Sequence, residues 1–309
     1  MGRKKICLFI CGPLPDFPPG KLERWLRQIP ELNIIADVEP VLVFEQPSAD
    51  VTPAVWLKLA GVIAERAARY NGFVVIHGID NLLFTAAAMS FLMQHFNRPV
   101  IFTSGGLVPP ASRDVEIKAN LINAIQVATH DFSEVCLMLG NRLLRANQAI
   151  YVEQESLGSF QAPLQSVLGR IDFSIRIFEA DAGKRRGQAR LATKLNENIE
   201  VVDWTPACSV ELIAGRSAQR EGLIINAGDY RTLPEALVSL AKQVVAAVPV
   251  VIWAPKVTDS ALASSPVMLI NAMTWPATLT KFMWALGTEQ SGKQLTALMN
   301  RSIAGEFIS

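Results

Sequence analysis

Short, nearly uninterrupted apolar runs alternate along the chain with longer stretches of helical periodicity. Ile6 to Cys11, Phe73 to Ile76, Val100 to Thr103 and Val135 to Leu139 show no alternation of apolar with polar residues. Strands covered by helices on both faces read this way, because side chains pointing up and down each meet a packed layer. Between the first two runs, Asp50-Val51-Thr52-Pro53 has the composition of a helix start, with Thr52 as N-cap and Pro53 at the first helical position. The pattern predicts a helix from Ala54 to about Tyr70, ended by Asn71-Gly72. It predicts a second helix from Phe84 to Phe96 and a third from Ala119 to Thr129. Strand and helix alternating at this spacing predict an α/β fold around a doubly wound, mostly parallel sheet.

The pattern breaks at Ala180. The stretch ADAGKRRGQARLATKLNEN is polar and carries no sustained hydrophobic period, as expected of an inter-domain connection. Beyond it, IEVVDW, GLIINAG and VPVVIWA again read as buried strands, separated by helical patterns around Ser209 to Ala214 and Leu233 to Ala247. The expected organisation is an N-terminal domain over residues 1–180, a connection over 181–199, and a smaller C-terminal α/β domain over 200–309. No internal repeat, heptad or low-complexity tract interrupts it.

Composition narrows the function classes. Half of the 309 residues are hydrophobic and 18% are charged, enough for one large core or two ordinary ones. Lys and Arg number 29 against 28 Asp and Glu. That balance supplies neither the basic footprint of a nucleic-acid binder nor a polybasic membrane patch. The longest uncharged apolar stretch, Val244 to Ala254, contains Pro249 and falls well short of the roughly 20 residues that span a bilayer. Arg3-Lys4-Lys5 followed by ICLFIC imitates a secretory leader. The apolar run is short and ends in Gly12-Pro13, so it reads as a first strand. Cys7, Cys11, Cys136 and Cys208 have no metal-ligand spacing, and in a chain this long they read as reduced thiols. The expectation is a cytoplasmic protein with neither metal nor cofactor.

Several segments, in order along nearly the whole chain, resemble one family. YNGFVVIHGIDNLLFTAAAMSFL is similar to the bacterial-type L-asparaginase segment in which HGTDT precedes a helix beginning TAAALSF. LGNRLLRANQA resembles that family's GGRLLRGNRATK, and MTWPATLTKFMWALG its MTPEAALTKLMWLLG. SIAGEF is similar to the closing turn. The nearest branch is the cytosolic type I. The resemblance implies the asparaginase-like architecture: a larger N-terminal, mostly parallel doubly wound sheet and a smaller C-terminal α/β domain.

The family hydrolyses a side-chain amide with a Thr nucleophile in a flexible N-terminal loop. A second Thr, a Lys and an Asp assist it, and a Ser and the same Asp hold the substrate's α-amino and α-carboxylate groups. On this resemblance the nucleophile motif TGGTI falls on CGPLP, with Leu14 at the Thr and Pro13 at a glycine. The second Thr falls on Ile79 and the Lys on Tyr151. Nucleophilic catalysis needs an oxygen or sulfur that can lose a proton, and neither Leu nor Ile has one. What the resemblance retains is the binding half: Ser48 at the ligand Ser, Gly78, and Asp80 at the ligand Asp. Asp229 stands where the family's GAGN has Asn, and the stretch from Lys256 to Val267 is shorter than the counterpart that completes a neighbouring subunit's pocket.

Each residue also has a plainer reading. Asp80, or Asn81 beside it, would serve as an N-cap for the following helix. Ser48 sits in a turn composition, and His77 suits a satisfied structural histidine. Cys11 reads as a buried thiol ending a strand, or as a displaced nucleophile. Tyr151 could offer a phenol, but not a cation. Three readings follow: an impaired asparaginase-like protein binding a small amino acid such as aspartate or asparagine, an amidohydrolase with a relocated nucleophile (Cys11 or Thr103-Ser104), and a structural subunit. A homodimer or homotetramer is expected from the family, with no nucleic-acid or membrane partner.

Overall fold

The computed structural model describes residues 2–12, 21–104, 110–152, 160–163, 166–172, 174–178, 188–258, 262, 265–288 and 292–308. The chain divides into two compact units, Met1–Thr193 and Lys194–Ser309.

The first unit opens with β1 (Lys5–Cys11), α1 (Lys21–Leu26), α2 (Pro30–Ile35) and β2 (Asp37–Phe44). It continues through α3 (Pro53–Arg66), β3 (Gly72–His77), α4 (Leu82–Leu92), β4 (Met93–Gln94) and β5 (Val100–Thr103). Then come α5 (Pro110–Ala128), β6 (Val135–Leu139), β7 (Arg142–Arg145), β8 (Ile150–Tyr151) and β9 (Phe160–Gln161). It closes with β10 (Val167–Ile171), β11 (Ile175–Ile177) and β12 (Arg190–Leu191). Eight strands form one sheet in the order β11-β10-β7-β6-β5-β3-β1-β2. β2, β1, β3, β5 and β6 run parallel, whereas β7, β10 and β11 extend the sheet antiparallel.

The uninterrupted apolar strands are buried as their composition requires: every residue of β3, β5 and β6 is buried, and in β1 only Lys5 is exposed. Ile6, Leu8, Val74, Ile76 and Ile101 share one core with Leu121 and Ile125 of α5. The next residues along those strands point to the opposite face, where Phe9 and Phe73 stack with ring centroids 6.1 Å apart. β2 is one of the two edge strands, β11 the other. In β2, Asp37, Glu39 and Pro40 obscure the apolar pattern, and Pro is tolerated there because an edge leaves backbone groups unpaired. The antiparallel strands were equally illegible, being short and flanked by Arg.

Some boundaries differ from those the pattern predicts. α4 stops at Leu92 rather than Phe96, because Met93 and Gln94 pair with Leu191 and Arg190. Those partners lie in the polar stretch that reads as an inter-domain connection, and the division falls between Thr193 and Lys194. α3 ends at Arg66. Thr52 holds the N-cap position and its carbonyl accepts from Val55 and Trp56 N–H, but its side chain makes no capping bond.

The second unit contains β13 (Ile199–Asp203), α6 (Val210–Ser217), β14 (Gly222–Asn226), α7 (Glu235–Val244) and β15 (Val250–Trp253). β16 (Met268–Ile270), α8 (Trp275–Gly287) and α9 (Gly292–Met299) follow. Its four strands are parallel in the order β13-β14-β15-β16. Leu237, Leu240 and Val244 of α7 meet Leu223, Ile225 and Ile252 in the core. Ser209 caps α6, its Oγ accepting from Leu212 N–H at 3.3 Å. Among the described residues no helix is long and apolar enough to cross a membrane.

Candidate functional site

In the parallel part of the large sheet, the chain leaves β1 to form β2 on one side, and β3 lies on the other. Connections diverge at such a point, which opens a crevice beyond the carboxyl ends of the strands. Cys11, the last residue of β1, is in register with His77, the last of β3. Gly12 follows with φ +104°, a conformation that favours glycine, and its N–H donates to the Phe44 carbonyl at 2.8 Å. The segments leaving β1, β2 and β3 are thereby drawn together.

Ser48 and Gly78 are in contact at this point. A β-carbon on Gly78 would lie 2.2 Å from Ser48 Oγ and 2.7 Å from Ser48 Cβ, so only glycine fits. Ser48 is 6% exposed, and among the described residues its hydroxyl has no hydrogen-bond partner. Asn81 clamps the two loops, its Nδ2 donating to the carbonyls of Ser48 and Ala49, each at 3.1 Å. Asn81 has φ +58°, which Asn tolerates better than most residues. Its carbonyl accepts Thr85 N–H at 2.9 Å, so the N-cap position falls on Asn81. The capping reading of Asp80 is thereby corrected. Asp80 precedes the cap and is exposed, and no side-chain capping bond forms at the helix start.

Beneath the loop lies a directed chain of hydrogen bonds. Trp56 Nε1–H of α3 donates to Thr85 Oγ1 of α4 at 3.0 Å. Thr85 Oγ1 lies 3.1 Å from His77 Nε2, and His77 Nδ1 lies 2.6 Å from the Gly78 carbonyl oxygen. The indole can only donate and the carbonyl can only accept. The imidazole therefore carries its proton on Nδ1, and Thr85 donates its hydroxyl proton to Nε2. Burial holds the His77 pKa below the usual imidazole range, against the opposing effects of the Gly78 carbonyl and Asp80, so the ring is neutral.

Above the chain, the loop offers recognition groups. Among the described residues the N–H groups of Ile79 and Asp80 have no hydrogen-bond partner, and they stand just before the positive end of α4. Free N–H groups and the Ser48 hydroxyl suit a carboxylate, and the Asp80 carboxylate suits an ammonium group. The Ile79 side chain is hydrocarbon and transfers no proton.

The remaining candidates are placed as follows. Leu14 lies outside the described residues. Tyr151 is half-exposed in β8, paired with Phe160 of β9. Cys11 is 1% exposed, and burial pushes its thiol up to about 12, with Lys58 opposing weakly. Thr103 is buried and donates to the Met138 carbonyl at 2.8 Å. In the second unit, Asp229 pairs on the surface with Lys256 at 2.5 Å, which holds its carboxyl below the usual range. Sequence reasoning missed the clamp of Asn81 and the role of Thr85. The one available signal was an Asn directly before a helix, which the capping rule absorbed.

Comparison with known proteins converges on one family. The family model described as "Asparaginase, N-terminal" matches residues 17–182, more than half of the chain. The chain is 27% identical to L-asparaginase 1 of Escherichia coli, over 93% of this chain and 90% of that protein. It is 24% identical to the L-asparaginase of Thermococcus kodakarensis, over 88% of this chain and 87% of the relative. The crystal structure of L-asparaginase I from Vibrio cholerae superposes with a TM-score of 0.86, at 26% identity and full coverage of both chains. The topology of the large sheet, the family-model match over residues 17–182 and a relative aligned over 93% of the chain lead to one assignment: the protein belongs to the asparaginase family.

Proposed function

We propose that the crevice at the ends of β1 and β3 binds a small amino acid, aspartate or asparagine, and that the chain is severely impaired as an asparaginase. One observation carries this reading. The Gly78–Asn81 loop and the adjoining Ser48 keep recognition groups (the Ser48 hydroxyl, two N–H groups without partners among the described residues, and the Asp80 carboxylate), but the loop has an inert Ile79 at its head. On the family resemblance, Leu14 and Tyr151 likewise stand where a nucleophile and a Lys would act. A relocated nucleophile finds little support. The Cys11 thiol is buried and holds its proton to about pH 12, and Thr103 already spends its proton on the Met138 carbonyl.

The test is ammonia release from asparagine and glutamine. The expected rate is at least ~10⁴-fold below that of an active family enzyme. A turnover number in the ordinary range of roughly 1–10³ s⁻¹ would overturn the reading. Leu14→Thr alone should not restore activity, because Ile79 and Tyr151 still give no assistance. Calorimetric binding of L-aspartate at millimolar concentration tests the other half. The same reading makes the protein a homodimer or homotetramer of the cytoplasm, and a hydrodynamic mass near 33.8 kDa, that of one chain, would contradict the assembly.

A further inference from the structure

His77 is the one histidine at the crevice. It is 0% exposed, and both of its ring nitrogens are engaged, so it cannot touch a ligand or take its proton. What it can do follows from the peptide plane. The Gly78–Ile79 peptide is planar and trans, with its C=O and N–H pointing in opposite directions. The ring pulls the Gly78 carbonyl inward at 2.6 Å. The Ile79 N–H must therefore point away from the ring. With the proton on Nε2 instead, the Nδ1 lone pair would face the carbonyl lone pairs at that same distance, which is repulsive. The tautomer and the loop conformation thus require each other.

We propose that His77 is the positioning residue of this site: as the Nδ1-protonated imidazole it anchors the Gly78 carbonyl and so aims the Ile79 N–H at the ligand's carboxylate. Thr85 enforces the tautomer by donating to Nε2, and Trp56 orients Thr85 in turn. Three elements, α3, α4 and β3, therefore fix one N–H. The groups facing the imidazole are Thr85, the Gly78 carbonyl, the Phe102 ring (centroids 6.4 Å apart) and, through its charge, Asp80. The ligand named here rests on the binding reading above; the orientation of the peptide does not.

Two measurements on the full chain test it separately. Imidazole nitrogen NMR of the unmodified protein should report a neutral ring protonated on Nδ1 from pH 8 down to 6. An Nε2-protonated or charged ring at pH 7 overturns the proposal. The second measurement uses L-aspartate as the probe. His77→Phe fills the space without a donor and should weaken its binding at least tenfold. It should also disturb the Ile79 amide resonance, whereas His77→Gln, which keeps a donor, recovers part of both. Unchanged binding and an unmoved Ile79 amide in a folded His77→Phe protein overturn it. If L-aspartate fails to bind the unmodified chain, the binding reading falls, and the positioning claim is judged on the tautomer and the Ile79 amide. If His77→Phe does not fold, the tautomer and His77→Gln decide.

Discussion

Two polar clusters, one in each unit, use the same kinds of group to opposite ends. In the second unit, Lys281 of α8 and Glu306 are both 0% exposed and 2.5 Å apart. Lys281 Nζ also donates to the carbonyls of Met299 and Arg301, at 3.0 and 2.7 Å, which uses all three of its protons. Glu306 accepts from the N–H groups of Ile303 and Ala304 and from the Ser302 hydroxyl. Burial pushes the Lys281 pKa down while Glu306 opposes that shift. Nothing in this cluster is left to bind. At the ends of β1 and β3, by contrast, the buried chain Trp56–Thr85–His77 is complete, but the layer above it keeps N–H groups and a hydroxyl without partners among the described residues, and an exposed carboxylate. The closed cluster ties the segment around Glu306 onto α8, whereas the open one leaves polar groups unspent. Counting unused donors and acceptors separates scaffold from site where residue type alone does not.

Breaking the closed cluster should have the largest effect on stability. Lys281→Met strands a buried carboxylate and should destabilise the second unit by about 3–5 kcal/mol, read from denaturant midpoints. Adding Glu306→Gln removes the stranded charge while keeping an acceptor for Ile303 and Ala304 N–H, so the double variant should regain part of the loss. A double variant no better than Lys281→Met would mean that the charge was not the cause.

Gly78→Ala is expected to come next. The new methyl meets Ser48 Oγ at 2.2 Å, and the two loops must separate. The expected cost is about 1–3 kcal/mol, with a loss of L-aspartate binding. An alanine variant of unchanged stability would show that Ser48 moves freely, and that the contact does not set the site.

The pH dependence is smaller and isolates His77. Its folded-state pKa lies below the ordinary value of 6.5, so as pH falls through 6.5 the unfolded chain takes up a proton before the folded one does. Stability is therefore retained above that pH and lost below it, down to the depressed pKa. The slope is at most about 1.4 kcal/mol per pH unit for one group. His130, also depressed by burial, adds in the same direction. The difference between unmodified protein and His77→Gln in acid denaturation assigns the His77 share; identical profiles would refute its neutral, buried state.

Asp80→Asn should scarcely move stability, within about 0.5 kcal/mol, because the carboxylate is exposed and does not cap α4. Binding should respond quite differently: losing the partner of a ligand ammonium costs about 2–5 kcal/mol of affinity. Destabilisation without a binding defect would reverse the contrast between the two clusters.

The alternation of apolar runs and helices was enough to read the central strands, because burial on both faces leaves an unmistakable composition. The edge and antiparallel strands were not legible. β2 is largely exposed and carries Asp and Glu, β7 is only four residues long and bounded by Arg, and both are strands because neighbours supply hydrogen bonds. Family motifs in the sequence located the loop after β3 and its Asp80, and they also showed hydrocarbon side chains at Ile79 and Leu14.

Residue types and their order along the chain thus determined the fold class, the family and the position of the loop. Which of those residues are spent and which are free was decided by tertiary structure alone. His77 and Asp80 stand three positions apart in one segment, yet one is buried with both nitrogens engaged and the other is exposed. Asn81 looks like a cap in the sequence and becomes a clamp because Ser48 and Ala49, far away along the chain, present their carbonyls to it. A hydrogen bond depends on distance and direction between atoms, and a linear order of residues specifies neither until the chain has closed on itself.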